Sequence, residues 1–117
     1  MTQYYCYLIQ EDGVCAAWRT FLSESDGEAQ DYALGLFAGS HADKIEMWDG
    51  SRLTLSYSRA TLQTPAEMRR LCYLAIAAAR KETDQKSKQI IASAAARLAQ
   101  EAEALERRAD YKSGERL

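Results

Sequence analysis

The chain has 117 residues, 47% of them apolar and 27% charged, with a formal net charge of −2. This length allows one domain, or one small domain with a helical extension, and one proline and six glycines exclude low-complexity disorder. Residues 1–64 carry four basic and nine acidic side chains, a net of −5, whereas residues 65–117 carry 11 basic and eight acidic ones, a net of +3. Opposite charges in the two halves favour their docking, within one chain or between two.

The cysteines indicate the redox setting. Cys6, Cys15 and Cys72 are odd in number and lack metal-binding spacing, which favours a reducing, cytoplasmic location over a disulfide framework. No histidine lies near Cys15 or Cys72 to activate them, so we expect buried structural thiols there; Cys6 would be reactive only if exposed. The N-terminus has neither a basic region nor a long apolar stretch, so no signal peptide is predicted.

Two runs rich in aromatic and branched residues, 4–10 and 14–22, flank an Asp-Gly pair at 12–13 and predict a β-hairpin. Both parities of both runs carry apolar side chains, so both faces of the hairpin require burial in either register. In the first run one parity carries Tyr5, Tyr7 and Ile9 and the other Tyr4, Cys6 and Leu8; the return run has Ala16, Trp18 and Leu22 on one and Cys15, Ala17 and Phe21 on the other.

A capping box at 25–28 opens a short helix, and Gly39 is placed to end it. This helix can cover only one face of a sheet. Its apolar face consists of Ala29, Tyr32, Ala33, Leu36 and Phe37.

A second hairpin is predicted around the Trp-Asp-Gly sequence at 48–50. A three-residue loop with Gly50 in the left-handed conformation pairs Ile45 with Leu53 and leaves one apolar and one polar face. A two-residue loop would set Ile45 against Thr54 and mix the faces, so we expect the longer loop. The resulting unit is ββαββ, a four-stranded antiparallel sheet with one helix across it.

The second half of the chain predicts helices. Thr64, Pro65 and Glu67 form a capping box with proline at the first helical position. An apolar stripe follows over 68–79, too short to span a bilayer, and after a polar stretch a second stripe appears at coiled-coil spacing. The second stripe consists of Ile91, Ala95, Leu98, Ala102, Leu105 and Ala109.

One continuous helix would turn the two stripes roughly 120° apart. A break near Thr83-Asp84 lets them meet, so we expect an antiparallel hairpin rather than one long helix. The predicted fold is therefore α+β: a four-stranded antiparallel ββαββ sheet domain over 1–60, an antiparallel helical hairpin over 64–111 and a disordered tail over 112–117.

Three segments carry a family resemblance: Y-Y-C-Y-L-I-Q-E-D-G, S-D-G-E-A-Q and K-I-E-M-W-D-G-S-R-L. They resemble small domains found in many proteobacterial open reading frames, with a Tyr-rich first strand, a D-G turn, an acidic helix cap and an E-x-W-x-G-x-R hairpin. The C-terminal segment is similar to helical tails common in the same organisms. The resemblance implies a ββαββ domain with an appended helical tail; it implies no activity and no site residues.

The sheet and the helices each have more apolar surface than they can bury alone, so each needs the other, a partner chain, or both. We therefore expect a non-enzymatic protein-interaction or oligomerisation module, a homodimer through its C-terminal helices. The candidate interface residues are Leu71, Leu74, Ile91, Leu98, Leu105 and, at a hairpin tip, Trp48.

Two alternatives remain open. One is a small-molecule or peptide sensor with a pocket between sheet and helices near Trp18, Tyr7 and Tyr73. The other is a nucleic-acid-linked regulator, although exposed cations on a helix usually form a solvated face. Its candidate basic face consists of Arg69, Arg70, Arg80, Lys81, Lys86 and Lys88.

Catalytic and cofactor motifs are not found in the sequence. His41 is the only histidine, and one histidine with scattered carboxylates does not make a metal site. Glycine-rich phosphate loops and a G-x-S-x-G nucleophile motif are absent. We expect no catalytic residue, no metal and no cofactor.

Overall fold

The computed structural model of the chain describes the backbone of residues 1–115 and the side chains of residues 1–108. Within that range four strands and three α-helices follow one another as ββαββαα, which confirms the predicted α+β class. The bounds are β1 Thr2–Ile9, β2 Cys15–Ser23, α1 Asp26–Ala38, β3 Lys44–Asp49, β4 Arg52–Ser58, α2 Pro65–Lys81 and α3 Gln85–Glu115, with a 3₁₀ turn at Arg59–Thr61 before α2.

The four strands form one antiparallel sheet in the order β2-β1-β3-β4. The two hairpins therefore lie side by side, joined through β1 and β3, while β2 and β4 are the edges. The first hairpin turns as predicted, with Gly13 at φ +87°, a conformation that glycine adopts without strain.

The loop of the second hairpin differs from the prediction. Asp49 lies opposite Arg52 and Trp48 opposite Leu53, so the loop has two residues, Gly50 and Ser51, and the predicted three-residue loop is wrong. Gly50 has a φ of +61°, as at the first position of a type II′ turn. The Arg52 guanidinium forms an ion pair with the Asp49 carboxylate across the turn, at 2.9 Å.

Because β4 contains a bulge at Thr54, most of its apolar residues still face the expected side of the sheet although the loop has two residues. Thr54 is the extra residue between Leu53, opposite Trp48, and Leu55, opposite Met47. The bulge turns Leu53 to one face of the sheet and Leu55 to the other. The Thr54 carbonyl oxygen accepts a hydrogen bond from the Gln30 side chain of α1 at 2.7 Å, so this backbone acceptor is paired although it lies in the bulge.

The helix starts follow the capping chemistry of the sequence. The hydroxyls of Ser25 and Thr64 accept hydrogen bonds from backbone N–H groups three residues on, and the Asp84 carboxylate does the same for Ser87. The break between α2 and α3 therefore falls at 82–84, as predicted. α3 continues to Glu115, past the predicted boundary at 111; residues 116–117 of the predicted tail lie outside the described residues.

The helices form two layers on one side of the sheet. α1 packs on β1 and β3, and α2 and α3 pack behind it and against each other. The Arg69 guanidinium, near the start of α2, contacts the Glu106 carboxylate of α3 at 2.7 Å, so the far part of α3 lies beside the beginning of α2. Among these helices, none is long and apolar enough over its described residues to cross a membrane.

Two glycines allow these layers to approach closely. A Cβ on Gly35 of α1 would lie 2.4 Å from the Leu74 carbonyl oxygen of α2, and one on Gly39 would lie 2.9 Å from Ile91 of α3. Gly39 ends α1 as predicted, but with an ordinary φ of −84°. Close packing against α3, rather than a left-handed turn, therefore requires glycine there.

A buried carboxylate joins the sheet to the α2–α3 connection. Glu82, 5% exposed, accepts hydrogen bonds from the Arg19 guanidinium at 2.9 Å and the Tyr32 hydroxyl at 2.8 Å. The Arg19 hydrogen bond is the main cause that lowers the pKa of Glu82, whereas burial, helped by the Glu82 hydrogen bond, raises the pKa of Tyr32 to about 12. We call these three side chains the Glu82 clasp.

The clasp predicts acid sensitivity. Because the folded-state pKa of Glu82 lies below the usual 4.5, the unfolded chain binds more protons in that range, and the contribution of Glu82 is full above about pH 4.5. We expect the free energy of unfolding to fall as the pH drops below that value, measured by urea denaturation between neutral pH and about pH 3. Glu82→Gln should show a smaller drop; an equal drop would assign the acid sensitivity to other carboxylates.

One of the predicted ways to bury the leftover apolar surface is not observed. The apolar faces left over on the first hairpin and on the helices could have covered each other or a partner chain, yet all three helices lie on the same side of the sheet. The apolar stripes of α2 and α3 are buried against α1 and against each other. The opposite side of the sheet carries no helix within the described chain.

Candidate interaction surface

The side of the sheet turned away from α1, here called the outer face, is rich in aromatic residues. Strand alternation and the observed register place Tyr5, Tyr7, Trp18 and Trp48 on it, with Leu22 and Leu53 at its margins. The opposite parity of β1, with Tyr4 and Cys6, is buried beneath α1. Thus the two apolar parities recognised in the sequence meet two different environments.

The four aromatic residues are neighbours. Trp18 lies directly opposite Tyr7 across β2 and β1, and Tyr5 lies directly opposite Trp48 across β1 and β3. Tyr5 and Tyr7 are two residues apart on the same face of one strand, so the two pairs lie next to each other along β1. The outer face therefore presents a continuous aromatic patch across three strands.

This patch is open to solvent. Trp18 is 67% exposed, Leu22 61% and Leu53 45%, while Tyr5, Tyr7 and Trp48 are half-buried. Large apolar side chains exposed together, rather than singly, mark interaction surfaces. Tryptophan and tyrosine are the residues most enriched at the energetic centres of such surfaces.

The outer face is electrically neutral although the sheet half is acidic. Its two charged residues within the strands, Lys44 and Glu46, form an ion pair at 3.0 Å. The Trp48 indole N–H also points to the Glu46 carboxylate, at 3.4 Å. Their charges cancel, so nothing on the face itself opposes the approach of a neutral or identical surface.

The predicted interface residues occupy different positions. Leu71, Ile91 and Leu98 are 0%, 5% and 6% exposed and pack in the core of this subunit. Leu74 and Leu105 are half-buried against the same core. Trp48 is the one candidate of the six that lies on the outer face. The helical stripes are thus filled by the chain's own helices, and Ala109, the last residue of the second stripe, lies beyond the described side chains.

The predicted basic face is partly neutralised. Arg69 pairs with Glu106 and Arg70 with Glu67, and Lys81 lies over the ring of Tyr32, 5.4 Å from its centre. Arg80, Lys86 and Lys88 complete the set; they belong to two different helices, α2 and α3, separated by the connection at 82–84. Neutralised guanidinium groups release few counterions from phosphate, which weakens a nucleic-acid site.

A groove of about 240 Å³ does exist between sheet and helices, at the β2 edge. Of the three residues predicted to line a sensor pocket, only Trp18 borders it. Tyr7 lies on the outer face, and Tyr73 is 72% exposed on α2. We name it the β2–α3 groove, after its lining by Ala17 and Trp18 of β2 and by Ile90 and Ile91 of α3.

Residues with potential chemistry are scattered. Among the described side chains, no three histidine, cysteine, aspartate or glutamate residues converge as metal ligands. His41 borders a cleft with Arg59 and Glu101. Cys15 is exposed and Cys72 half-buried, so the expectation of two buried thiols is wrong for Cys15, which begins the uncovered strand β2.

Cys6 is the buried thiol. Its burial raises its pKa to about 12, so at neutral pH it is a protonated, unreactive side chain of the core.

No family model, curated protein or solved structure matches this chain. These comparisons therefore bring no relative with an assigned function. What the outer face can bind follows from its own shape, charge and aromatic content.

Proposed function

We propose that this protein is a non-enzymatic protein-interaction module that forms a homodimer through the outer face of its sheet. The observation that supports this most is the patch of Tyr5, Tyr7, Trp18 and Trp48 on a face that none of the helices in the described part of the chain covers. Sheets that face water on one side usually carry polar residues there, so four adjacent aromatic side chains indicate a face that becomes buried.

A second copy fits this face for two reasons. A two-fold dimer brings the same surface together twice, and the paired Lys44 and Glu46 leave that surface without net charge. Four strands about 4.8 Å apart and about 25 Å long give a face of roughly 500 Å². Two copies would bury roughly 1,000 Å² in total, the lower limit for a specific interface, so we propose a reversible dimer of modest affinity.

This assignment moves the dimer interface away from the C-terminal helices, where the sequence suggested it. Leu71, Ile91 and Leu98 are buried in the subunit and could face a partner only if α2 and α3 opened. The three cysteines are free thiols, which supports a reducing, cytoplasmic location.

Charge introduced at the margins of the outer face should prevent dimerisation. In the double variant Leu22→Lys/Leu53→Lys, a two-fold dimer would gather four new lysines in one interface, and we expect a monomer at all concentrations. The wild-type chain should rise from 13.1 kDa toward twice that mass with increasing concentration in sedimentation velocity. Both positions are exposed, at 61% and 45%, so the fold should persist.

The matched control places the same charges elsewhere. Tyr73→Lys/Ile76→Lys introduces two lysines on the exposed surface of α2, at residues 72% and 39% exposed, and should dimerise like the wild type. If the wild-type chain stays monomeric at about 100 μM, the proposal is wrong, because a specific interface of this size should associate at that concentration.

Intrinsic fluorescence offers a second readout. Both tryptophans of the chain, Trp18 and Trp48, belong to the outer face. Dimerisation should therefore shift their emission to shorter wavelength as concentration increases, and the Leu22→Lys/Leu53→Lys variant should show no shift. A mass increase without this spectral change would place the interface on another surface.

A further inference from the structure

Strand β2 is a long edge strand with little of the usual protection against pairing. It pairs with β1 on one side only, and its first five residues, from Cys15 to Arg19, are all exposed. Natural edge strands are commonly short, or carry lysine or proline. β2 has nine residues and no proline. Its protective features are a bulge at Ala16, near its start, and one inward-pointing charge, Arg19, which is held by Glu82.

The β2–α3 groove runs beside this edge on the helix side of the sheet. It exists because one helix, about 10 Å wide, cannot cover a four-stranded sheet nearly twice as wide. Its floor is formed by Cys6 and Leu8, and its walls by Ala17 and Arg19 of β2 and Ile90 and Ile91 of α3. At about 240 Å³ the groove is smaller than typical small-molecule pockets, but it can hold one or two apolar side chains.

The basic charge beside the groove is Lys86, which lies one turn before Ile90 on the same face of α3. Arg19 lies in the groove wall, but its charge is balanced by Glu82. The nearby carboxylates are engaged, Glu82 with Arg19 and Asp84 with the N–H and hydroxyl of Ser87. A segment with acidic residues next to its apolar anchor would complement this rim.

A second copy of the chain does not fit this site. The inward-facing residues that its own β2 would offer are committed or too small. Arg19 is bound to Glu82, Phe21 is packed between Tyr4 and Tyr32, and Ala17 carries only a methyl group. Pairing of two β2 strands would leave the groove unfilled, so a different sequence is required.

We propose that β2 and the β2–α3 groove bind an extended segment of a partner protein. The segment adds as a fifth strand to the edge, places an apolar side chain between Ala17 and Ile90, and carries acidic residues toward Lys86. The backbone groups of β2 that face away from β1 supply affinity, and the groove selects the side chain, as in other cases of strand addition. This site lies on the helix side of the sheet and meets the proposed dimer face at Trp18.

The test begins with a phage-displayed library of random dodecapeptides panned on the full chain. Enriched peptides should share an apolar residue within a β-prone, acidic sequence. A labelled peptide of that consensus should bind at least about tenfold more weakly to the Ala17→Lys and Ile90→Lys variants, because each places a charge in the groove. Both residues are exposed, so these variants should fold. Tyr73→Lys, on α2, should bind like the wild type, and Lys86→Glu should reduce the preference for acidic peptides.

Backbone N-methylation distinguishes strand addition from adhesion of an apolar side chain. Methylating one alternate set of amides in the peptide should abolish binding, whereas methylating the other set should be tolerated, because successive N–H groups of a strand point to opposite edges. A single Leu53→Lys variant, which changes the outer face on β4 at the opposite edge of the sheet, should bind the peptide normally, so this proposal survives or fails independently of the dimer. No enrichment, equal binding to Ala17→Lys, or insensitivity to the methylated set would overturn it.

Discussion

Gly35→Ala is expected to lower the free energy of unfolding by about 3 kcal/mol, at the upper end for overpacking a core. The added methyl group would lie 2.4 Å from the Leu74 carbonyl oxygen and 2.7 Å from the Ala78 Cβ. The first contact is with helix backbone, which cannot rotate away as a side chain can. α1 and α2 would have to separate, and the contacts around Leu71 and Ala75, both fully buried, would loosen.

A change of this size is readily measured. For a domain of this length it corresponds to a decrease in melting temperature of about 10–15 °C. The matched control is Gly27→Ala, in the first turn of the same helix, where the new Cβ meets nothing closer than 4.0 Å. That variant should be neutral or more stable by up to about 1 kcal/mol, since alanine costs less conformational entropy than glycine in a helix. Equal effects of the two variants would show that α1 and α2 are not in close contact.

Glu82→Ala is expected to cost about 2–3 kcal/mol. The change removes hydrogen bonds from Arg19 and Tyr32 to a carboxylate that is 5% exposed. Breaking a fully buried ion pair costs about 3–5 kcal/mol. The Arg19 side chain is 45% exposed and can hydrogen-bond to water once Glu82 is removed, so we expect the smaller loss of about 2–3 kcal/mol. Urea denaturation at neutral pH measures the loss.

Two further variants separate charge from packing in the Glu82 clasp. Glu82→Gln keeps the shape and one acceptor, so it should lose less than Glu82→Ala. Arg19→Ala leaves the carboxylate without its cation, and combining it with Glu82→Ala should cost clearly less than the sum of the single changes, because both remove the same interaction. Additive effects would show that Arg19 and Glu82 do not interact in the folded chain.

The clasp also links stability to the groove. Arg19 forms part of the groove wall, and Glu82 fixes the connection from which α3 starts toward Ile90. The net charges of the two halves predicted that they dock. In the ion pair between them, however, the basic residue Arg19 comes from the acidic half and the acidic residue Glu82 from the basic half. The placement of this ion pair therefore follows local geometry rather than the net charges of the halves.

Much of the fold could be predicted because it depends on local chemistry. Capping residues fixed the starts of all three helices at Ser25, Thr64 and Asp84, and an Asp-Gly pair fixed the first turn. The second turn could not be predicted in the same way. Its register depends on a bulge at Thr54 that is stabilised by Gln30 of α1, a residue distant in sequence.

The candidate site was only half visible in the sequence. The alternation of Tyr4, Cys6 and Leu8 with Tyr5, Tyr7 and Ile9 showed that both faces of β1 are apolar. It could not show which parity the helices would cover, because that choice depends on which side of the sheet the connection through α1 takes. The coiled-coil spacing of the helical stripes was equally compatible with a partner in the same chain or in another one.

By itself, the sequence determined which segments become strands and helices and where most of them begin, because hydrogen bonds between near neighbours decide these points. Only the tertiary structure decided that α1 lies between the sheet and the other two helices, with Gly35 and Gly39 at the contacts. That arrangement buries the helical stripes and leaves Trp18 and Trp48 exposed on the outer face. The physical reason is that apolar residues specify burial without specifying the surface that buries them.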